Sequence, residues 1–247
     1  MAGTSRYTIE IAVNDLVTAA AAVEGGADRL ELCSALSEGG LTPSYGFMRR
    51  CRELFSLPIF PIIRERGGDF LYSEEEYNIM LEDARLAKSL GFDGVVAGFL
   101  LADGRVDALR TRKLVEAVYP LEVTFHRAFD RCRDPFEALE TIIDCGCQRI
   151  LTSGQQPSVL DALDRVQQLV AAADHRIIIL PGSGIRVSNI RKVAEATGAA
   201  EFHSSLRTVR PSEMTFRHPS FEPFPEEFSL PAIRSEEVKA LKAALAT

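Results

Sequence analysis

Four times along this chain a glycine is followed, three residues later, by the first inward position of an apolar run, with further inward positions at steps of two. The runs are Gly26-Ala-Asp-Arg-Leu-Glu-Leu-Cys33, Gly91-Phe-Asp-Gly-Val-Val-Ala-Gly98, Gly146-Cys-Gln-Arg-Ile-Leu-Thr-Ser153 and Gly198-Ala-Ala-Glu-Phe-His-Ser-Ser205. Each glycine follows a helical pattern and each run is β-rich, as expected where a capping glycine hands a helix over to a buried strand. Four further strand candidates lie between them, Tyr7 to Val13, Pro58 to Arg64, Leu121 to His126 and Arg176 to Leu180, each followed by a helix-length amphipathic stretch. About eight β-then-α units in a chain of 247 residues predict a (β/α)8 TIM-type barrel, one α/β domain spanning 1–247. A doubly wound open sheet uses the same alternation. It would normally have fewer units and an early phosphate fingerprint, which the first turn, Asn14-Asp15-Leu16, lacks.

Neighbouring strand residues alternate faces, so parity says which side chains enter the barrel. With Ile9, Ile11 and Val13 facing the helices, Thr8, Glu10 and Ala12 point inward; the second strand turns Arg29, Glu31 and Cys33 inward. The same counting places Arg64 at the end of the third strand, Thr124 and His126 in the fifth, and Glu201, His203 and Ser205 in the eighth. Stacked in layers, these give a floor of Arg29, Gly94, Arg149 and Glu201, read as an ion-pair network, below a middle layer holding Glu31 and His203. Glu10, Glu31, Arg64, His126 and His203 are therefore expected to converge at the C-terminal mouth, where barrel enzymes do their chemistry.

The loops at that mouth add polar groups. Arg64-Glu-Arg66-Gly-Gly-Asp69 carries two guanidiniums and two glycines, which suits either a carboxylate or phosphate ligand or a solvated turn in which Arg66 pairs with Asp69. His126, Arg127 and Asp130 end the fifth strand with an imidazole, a guanidinium and a carboxylate. Pro181-Gly182-Ser-Gly184 and His203-Ser204-Ser205 follow strands seven and eight, whose loops form the phosphate site of many barrels, and Thr152-Ser153-Gly154 follows strand six. Arg64, Arg66, Ser153, Gly182, Gly184 and Ser204 are the candidate anion-binding residues. Glu10, Glu31, His126, His203 and Asp130 are the candidate acid–base residues.

Composition restricts the function classes. A formal charge of −7 without clustered Lys and Arg argues against general nucleic-acid binding, and no apolar stretch is long enough to cross a bilayer. Met1 to Arg6 lack an apolar core, so they read as a short flexible N-terminus without a secretory signal, and the protein is expected in the cytoplasm. Five cysteines do not form a disulfide framework and read as reduced thiols; Cys145-x-Cys147 lies at the barrel face opposite the usual active site, which favours a structural role over a metal clip. From Arg207 to Pro231 no periodicity is seen and phenylalanines recur among prolines, which reads as an irregular lid or subunit contact, before a capped amphipathic helix over Ser235 to Leu245.

Ala27-Asp-Arg-Leu-Glu-Leu-Cys33, Ser37-Glu-Gly-Gly-Leu-Thr-Pro-Ser44, Arg64-Glu-Arg-Gly-Gly-Asp-Phe-Leu-Tyr72, Val123-Thr-Phe-His-Arg-Ala-Phe-Asp130, Leu151-Thr-Ser-Gly154 and Glu201-Phe-His-Ser204 together resemble the copper homeostasis protein CutC family, in order from about Ile9 to about Arg217. The resemblance implies a TIM-type barrel in the cytoplasm, often a homo-oligomer, with a proposed role in copper handling. It also implies a copper site with one cysteine in each of the first two strands. Cys33 matches the second; Ala12 stands where the first would be. Cu(I) favours two or more thiolate or thioether ligands, so Cys33 would have to recruit Cys132 or His203. Two functions follow: a protein that binds copper in the barrel mouth, or an enzyme for a small phosphorylated or carboxylated metabolite, with Glu and His as acid and base and Arg64 as anion clamp.

Overall fold

The glycines that lead the four runs, Gly26, Gly91, Gly146 and Gly198, all adopt positive φ, between 72° and 86°. That left-handed conformation costs a side-chain-bearing residue, and here it ends a helix and redirects the chain into a strand. The computed structural model describes residues 7–218, 220 and 228–246. Eight strands alternate with helices: β1 (Thr8–Val13), α1 (Leu16–Glu24), β2 (Arg29–Leu32), α2 (Tyr45–Leu54), β3 (Ile59–Pro61), α3 (Glu74–Ser89), β4 (Gly94–Ala97), α4 (Ala108–Val118), β5 (Glu122–Phe125), α5 (Pro135–Asp144), β6 (Arg149–Thr152), α6 (Leu163–Ala173), β7 (Ile178–Pro181), α7 (Ile190–Thr197) and β8 (Glu201–Ser204). An antiparallel ribbon of β9 (Thr208–Pro211) and β10 (Ser229–Ala232) then leads to α8 (Ser235–Ala246).

All eight barrel strands pair in parallel, in the orders β3-β2-β1-β8 and β4-β5-β6-β7. The two arcs close into a (β/α)8 barrel. At one seam Ile62 bridges to Val96 and the Ile63 N–H donates to the Val96 carbonyl; at the other Gly182 packs against His203. The helix-facing residues Ile9, Ile11, Val13, Leu30, Leu32, Val95 and Phe202 form the main core with the inner faces of the helices. Because strand residues alternate, that commitment sends Glu10, Arg29, Glu31 and His203 into the barrel, and the register sets Glu10 beside both Arg29 and His203, and Ala12 beside Glu31.

The barrel floor is a network of ions. Arg29 donates to Glu10 at 2.5 Å and to Glu201 at 2.7 Å, while Arg149 donates to Glu201 at 2.8 Å and also pairs with Glu122. The Phe60 ring lies against both guanidiniums, 5.2 Å from Arg29 and 5.5 Å from Arg149. Gly94 makes room for that ring: a Cβ there would lie 2.5 Å from Phe60 and 2.7 Å from the Glu122 carbonyl. Gly94→Ala is therefore expected to destabilise the fold by about 1–3 kcal/mol through overpacking. Urea denaturation would show it, and an unchanged midpoint would mean that both Phe60 and the β5 backbone at Glu122 are free to move aside.

The structure departs from the irregular reading of 207–231, since residues near both ends of that segment pair in the β9–β10 ribbon and Ser212 N–H donates to the Phe228 carbonyl. Residues 219 and 221–227 of the expected lid, and the expected flexible N-terminus at residues 1–6, lie outside the described residues. Among the described residues no helix is long and apolar enough to cross a membrane.

Candidate active site

Parity brings one imidazole between two carboxylates at the mouth. His203 on β8 bonds through Nδ1 to Glu10 Oε1 at 2.7 Å, and its Nε2 lies 3.8 Å from Glu31 Oε2. Burial alone would raise the Glu10 carboxyl, but Arg29 and His203 outweigh it and hold the group near 2, firmly ionised. Glu31 shares the burial without a guanidinium bound to it, and burial together with the Glu10 charge pushes its carboxyl up despite His203. Burial would lower the His203 imidazole, yet Glu31 and Glu10 raise it above its ordinary value. Environment has thus split two carboxylates of one type: Glu10 is a fixed anion, and Glu31 is poised to exchange a proton.

Above this centre lies a cavity of about 350 Å³, lined by Ala12, Glu31, Ile62, Arg64, Phe70 and His126 among others, and by His203 and the loops after β7 and β8. Four of the five residues expected to converge, Glu31, Arg64, His126 and His203, reach it. Glu10 sits one layer below and acts on it through His203. Ala12, opposite Glu31 in the register, leaves the space open.

His126 forms the facing wall. Its Nδ1 accepts the Ala128 N–H at 3.2 Å, so the ring proton sits on Nε2, which is buried without a partner. Burial, reinforced by the Arg64 charge, pushes the imidazole down to about 3, so it is neutral across the working range. The ring packs 5.0 Å from Phe70 and against Gly98, where a Cβ would lie 2.5 Å from Nδ1.

Several other candidates sit elsewhere. Arg64 lines the cavity, but its guanidinium is engaged by backbone: Nη1 donates to the Glu38 and Gly40 carbonyls and Nη2 to Gly68, with only Nε unpartnered. It ties the loop after β2 to the loop after β3, rather than presenting an open clamp. Arg66 is drawn to the surface by Glu76 and Asp69, the solvated-turn alternative, and does not line the cavity. Asp130 accepts from Arg127, Thr152 and Ser153 and from the Gln155 N–H, so it and Ser153 brace the loops after β5 and β6 outside the cavity. The Gly182 N–H is used on the Thr152 carbonyl, and the Ser204 hydroxyl donates to Ile185, which leaves Gly184 and Ser204 as cavity lining and Gly182 as packing. Sequence reasoning missed the loop guanidiniums of Arg131, Arg186 and Arg207, and the ring of Phe70. Loop residues carry no periodicity, so parity had no way to aim them.

The donor set does not match a two-thiolate copper site. Cys33 is buried and gives its S–H to Glu31 at 3.2 Å, and burial next to Glu31 holds the thiol protonated. Cys132 lies with Gln155 in a different cluster, and burial raises its thiol to about 12. Among the described residues, the group of three potential ligands within 4.8 Å of one another is Glu10, Glu31 and His203, without a sulfur. Carboxylate and imidazole suit a harder ion or proton transfer.

Fold and site together define a TIM-type barrel with a buried carboxylate–imidazole–carboxylate centre at its C-terminal mouth. The chain belongs to the CutC family, whose model matches residues 7–208. A CutC family protein of Vibrio vulnificus is 49% identical over 212 residues, 85% of each chain. The human copper homeostasis protein cutC homolog is 46% identical over 214 residues, 87% of this chain and 78% of that one. The crystal structure of the CutC protein from Streptococcus agalactiae superposes with a TM-score of 0.77 at 29% identity, covering 81% of this chain and 98% of that one.

Proposed function

We propose that the barrel mouth is the active site of an enzyme that moves protons on a small anionic metabolite, with Glu31 and His203 as the exchanging pair. The observation that carries this reading is the pairing of His203 with Glu10 below and Glu31 beside it, facing a cavity sized for a small molecule. Glu10, neutralised by Arg29, fixes the imidazole so that Nε2 faces the cavity. Glu10 is a positioning residue in the same sense as the carboxylate that orients a catalytic histidine in hydrolases.

Melting temperature measured against a panel of sugar phosphates and small carboxylates tests the reading. A ligand of the site should raise it with the logarithm of concentration. Turnover of that ligand, followed by NMR, should fall about 100-fold or more in Glu31→Gln and in His203→Gln, the range of a lost general acid or base. Unaltered turnover in both variants would overturn the assignment.

A second reading is copper handling in the cytoplasm through Cys33, of which the name of the human relative supports the copper homeostasis alone. It requires the buried thiol to lose its proton beside Glu31, so copper affinity should be weak and should rise in Ala12→Cys, which restores a second sulfur one strand away. A Cu(I) titration against a competing chelator separates the readings: tight binding to the unaltered chain that is lost in Cys33→Ser would favour copper.

A further inference from the structure

The two walls of the cavity and its rim offer three different chemistries. One wall is the Glu31–His203 pair; His126 also lines the cavity, and in this residue, 3% exposed, the Nε2–H is buried without a partner. The rim is cationic. Arg131, Arg186 and Arg207 line the cavity and, among the described residues, none of the three makes an ion pair. Arg186 and Arg207 rise from the loops after β7 and β8. Those loops hold Ser183 at φ 70° and Leu206 at φ 41°, left-handed backbone unusual for residues with side chains, and Gly184 at φ 85°. Strain of that kind persists where the surrounding structure holds it, and it gathers at ligand-binding loops. At Gly184 a Cβ would lie 2.8 Å from the Ser158 hydroxyl, so the turn is closed to other residues.

We propose that the substrate is a phosphate monoester carrying an α-hydroxy carbonyl group, a carbonyl next to a carbon that bears both C–H and hydroxyl, bound with its phosphate between Arg186 and Arg207 and its carbonyl oxygen on the His126 Nε2–H. This rests on the acid–base reading above and names the substrate class of that site. A dianion at the rim satisfies two unpaired guanidiniums, and guanidinium is well matched to phosphate. A neutral imidazole N–H is a donor that an oxygen must meet, and it does so without giving up its proton. Between these two anchors the chain of the ligand crosses the cavity beside Glu31. The ionised Glu31 carboxylate takes the proton from the carbon next to the carbonyl. The electron pair of the broken C–H bond forms the C=C bond of an enediolate, and the carbonyl π pair moves onto the oxygen held by His126. Glu31 then returns the proton to the neighbouring carbon while His203 shifts a proton between the two oxygens. The net result is a 1,2-hydrogen shift that consumes no oxidant.

Calorimetry with 2-phosphoglycolate, glycolate and orthophosphate tests this, since 2-phosphoglycolate joins a phosphate to a planar group resembling the enediolate. We expect it to bind at least about tenfold more tightly than either fragment, the effect of engaging both anchors at once. The surface double variant Arg186→Ala/Arg207→Ala should lose about 10–100-fold in affinity for it while glycolate binding is unchanged. Nitrogen NMR should find His126 neutral with the proton on Nε2, both free and bound. In D2O, glycolaldehyde phosphate, which keeps the carbonyl and the adjacent C–H but no free hydroxyl and so reports the proton abstraction alone, should exchange that C–H for deuterium with the unaltered protein and about 100-fold more slowly with Glu31→Gln. Equal affinity for 2-phosphoglycolate and orthophosphate, or an arginine double variant that binds normally, overturns the phosphate-carbonyl assignment. If unphosphorylated carboxylates bind and turn over in a Glu31-dependent way, the acid–base reading stands and this inference falls. If none of the anions binds, both fall.

Discussion

Replacing Arg29 with methionine is expected to destabilise the protein by about 3–5 kcal/mol, because it strips the guanidinium from the fully buried Glu10 carboxylate and one of two guanidiniums from Glu201. Arg29 is 4% exposed and Glu10 is fully buried; the guanidinium holds Glu10 and Glu201 together. Methionine keeps the length and removes the charge. Much of the loss is the cost of an uncompensated anion rather than the worth of the ion pair. The double variant Arg29→Met/Glu10→Gln should therefore recover part of what Arg29→Met loses. Urea denaturation of the two single variants and the double one at pH 7 closes the cycle. Strict additivity would mean that Glu10 and Arg29 are not coupled, against the 2.5 Å contact.

Acid should expose His126. Its imidazole is ordinarily half-protonated at 6.5 and is pushed down to about 3 in the folded protein. Between those values the unfolded chain binds a proton at this residue that the folded protein does not. The stability His126 supplies is therefore complete above pH 6.5 and lost as pH falls toward 3, at about 1.4 kcal/mol per unit. Glu10 adds to this at lower pH: its depressed carboxyl contributes above 4.5 and is lost as pH falls toward 2. Glu31 and His203 run the other way, since both are raised in the folded state and both favour it as protons bind. His126→Asn isolates the first contribution, because the Asn oxygen can still accept the Ala128 N–H. Relative to this variant, the unaltered protein should lose about 3 kcal/mol between pH 6.5 and pH 4, read from urea midpoints across that range. Parallel curves would show that the imidazole takes up a proton in place.

The barrel was legible in the sequence because its signals are local and repeated. Gly26, Gly91, Gly146 and Gly198 punctuate the chain at each helix-to-strand passage, and parity aimed Glu10, Glu31, Arg29 and His203 inward once Ile9, Ile11 and Leu30 were given to the helices. The floor of Arg29, Arg149 and Glu201 followed from the same counting. Parity does not give height or partners: Glu10 and Glu31 are inward alike, yet one is bound to Arg29 below the cavity and the other lines it. Loops were harder. Arg64 and Asp130 have the residue types of a binding site, but carbonyls of neighbouring loops and the Ser153 N–H claimed them first. Arg186 and Arg207 drew no notice, since an arginine in a loop looks the same in sequence whether or not it faces a cavity.

By itself, then, the sequence determined the alternation of strands and helices and the set of side chains that enter the barrel, because both depend on periodicities that a few adjacent residues establish. The tertiary structure decided which of those side chains keep a free proton site. That depends on the distance between residues far apart in the chain: 2.7 Å from His203 to Glu10, separated by 193 positions, and a Cys33 thiol whose neighbour is Glu31 rather than a second sulfur. Burial and charge at such contacts set protonation, and only closure of the barrel brings them into being.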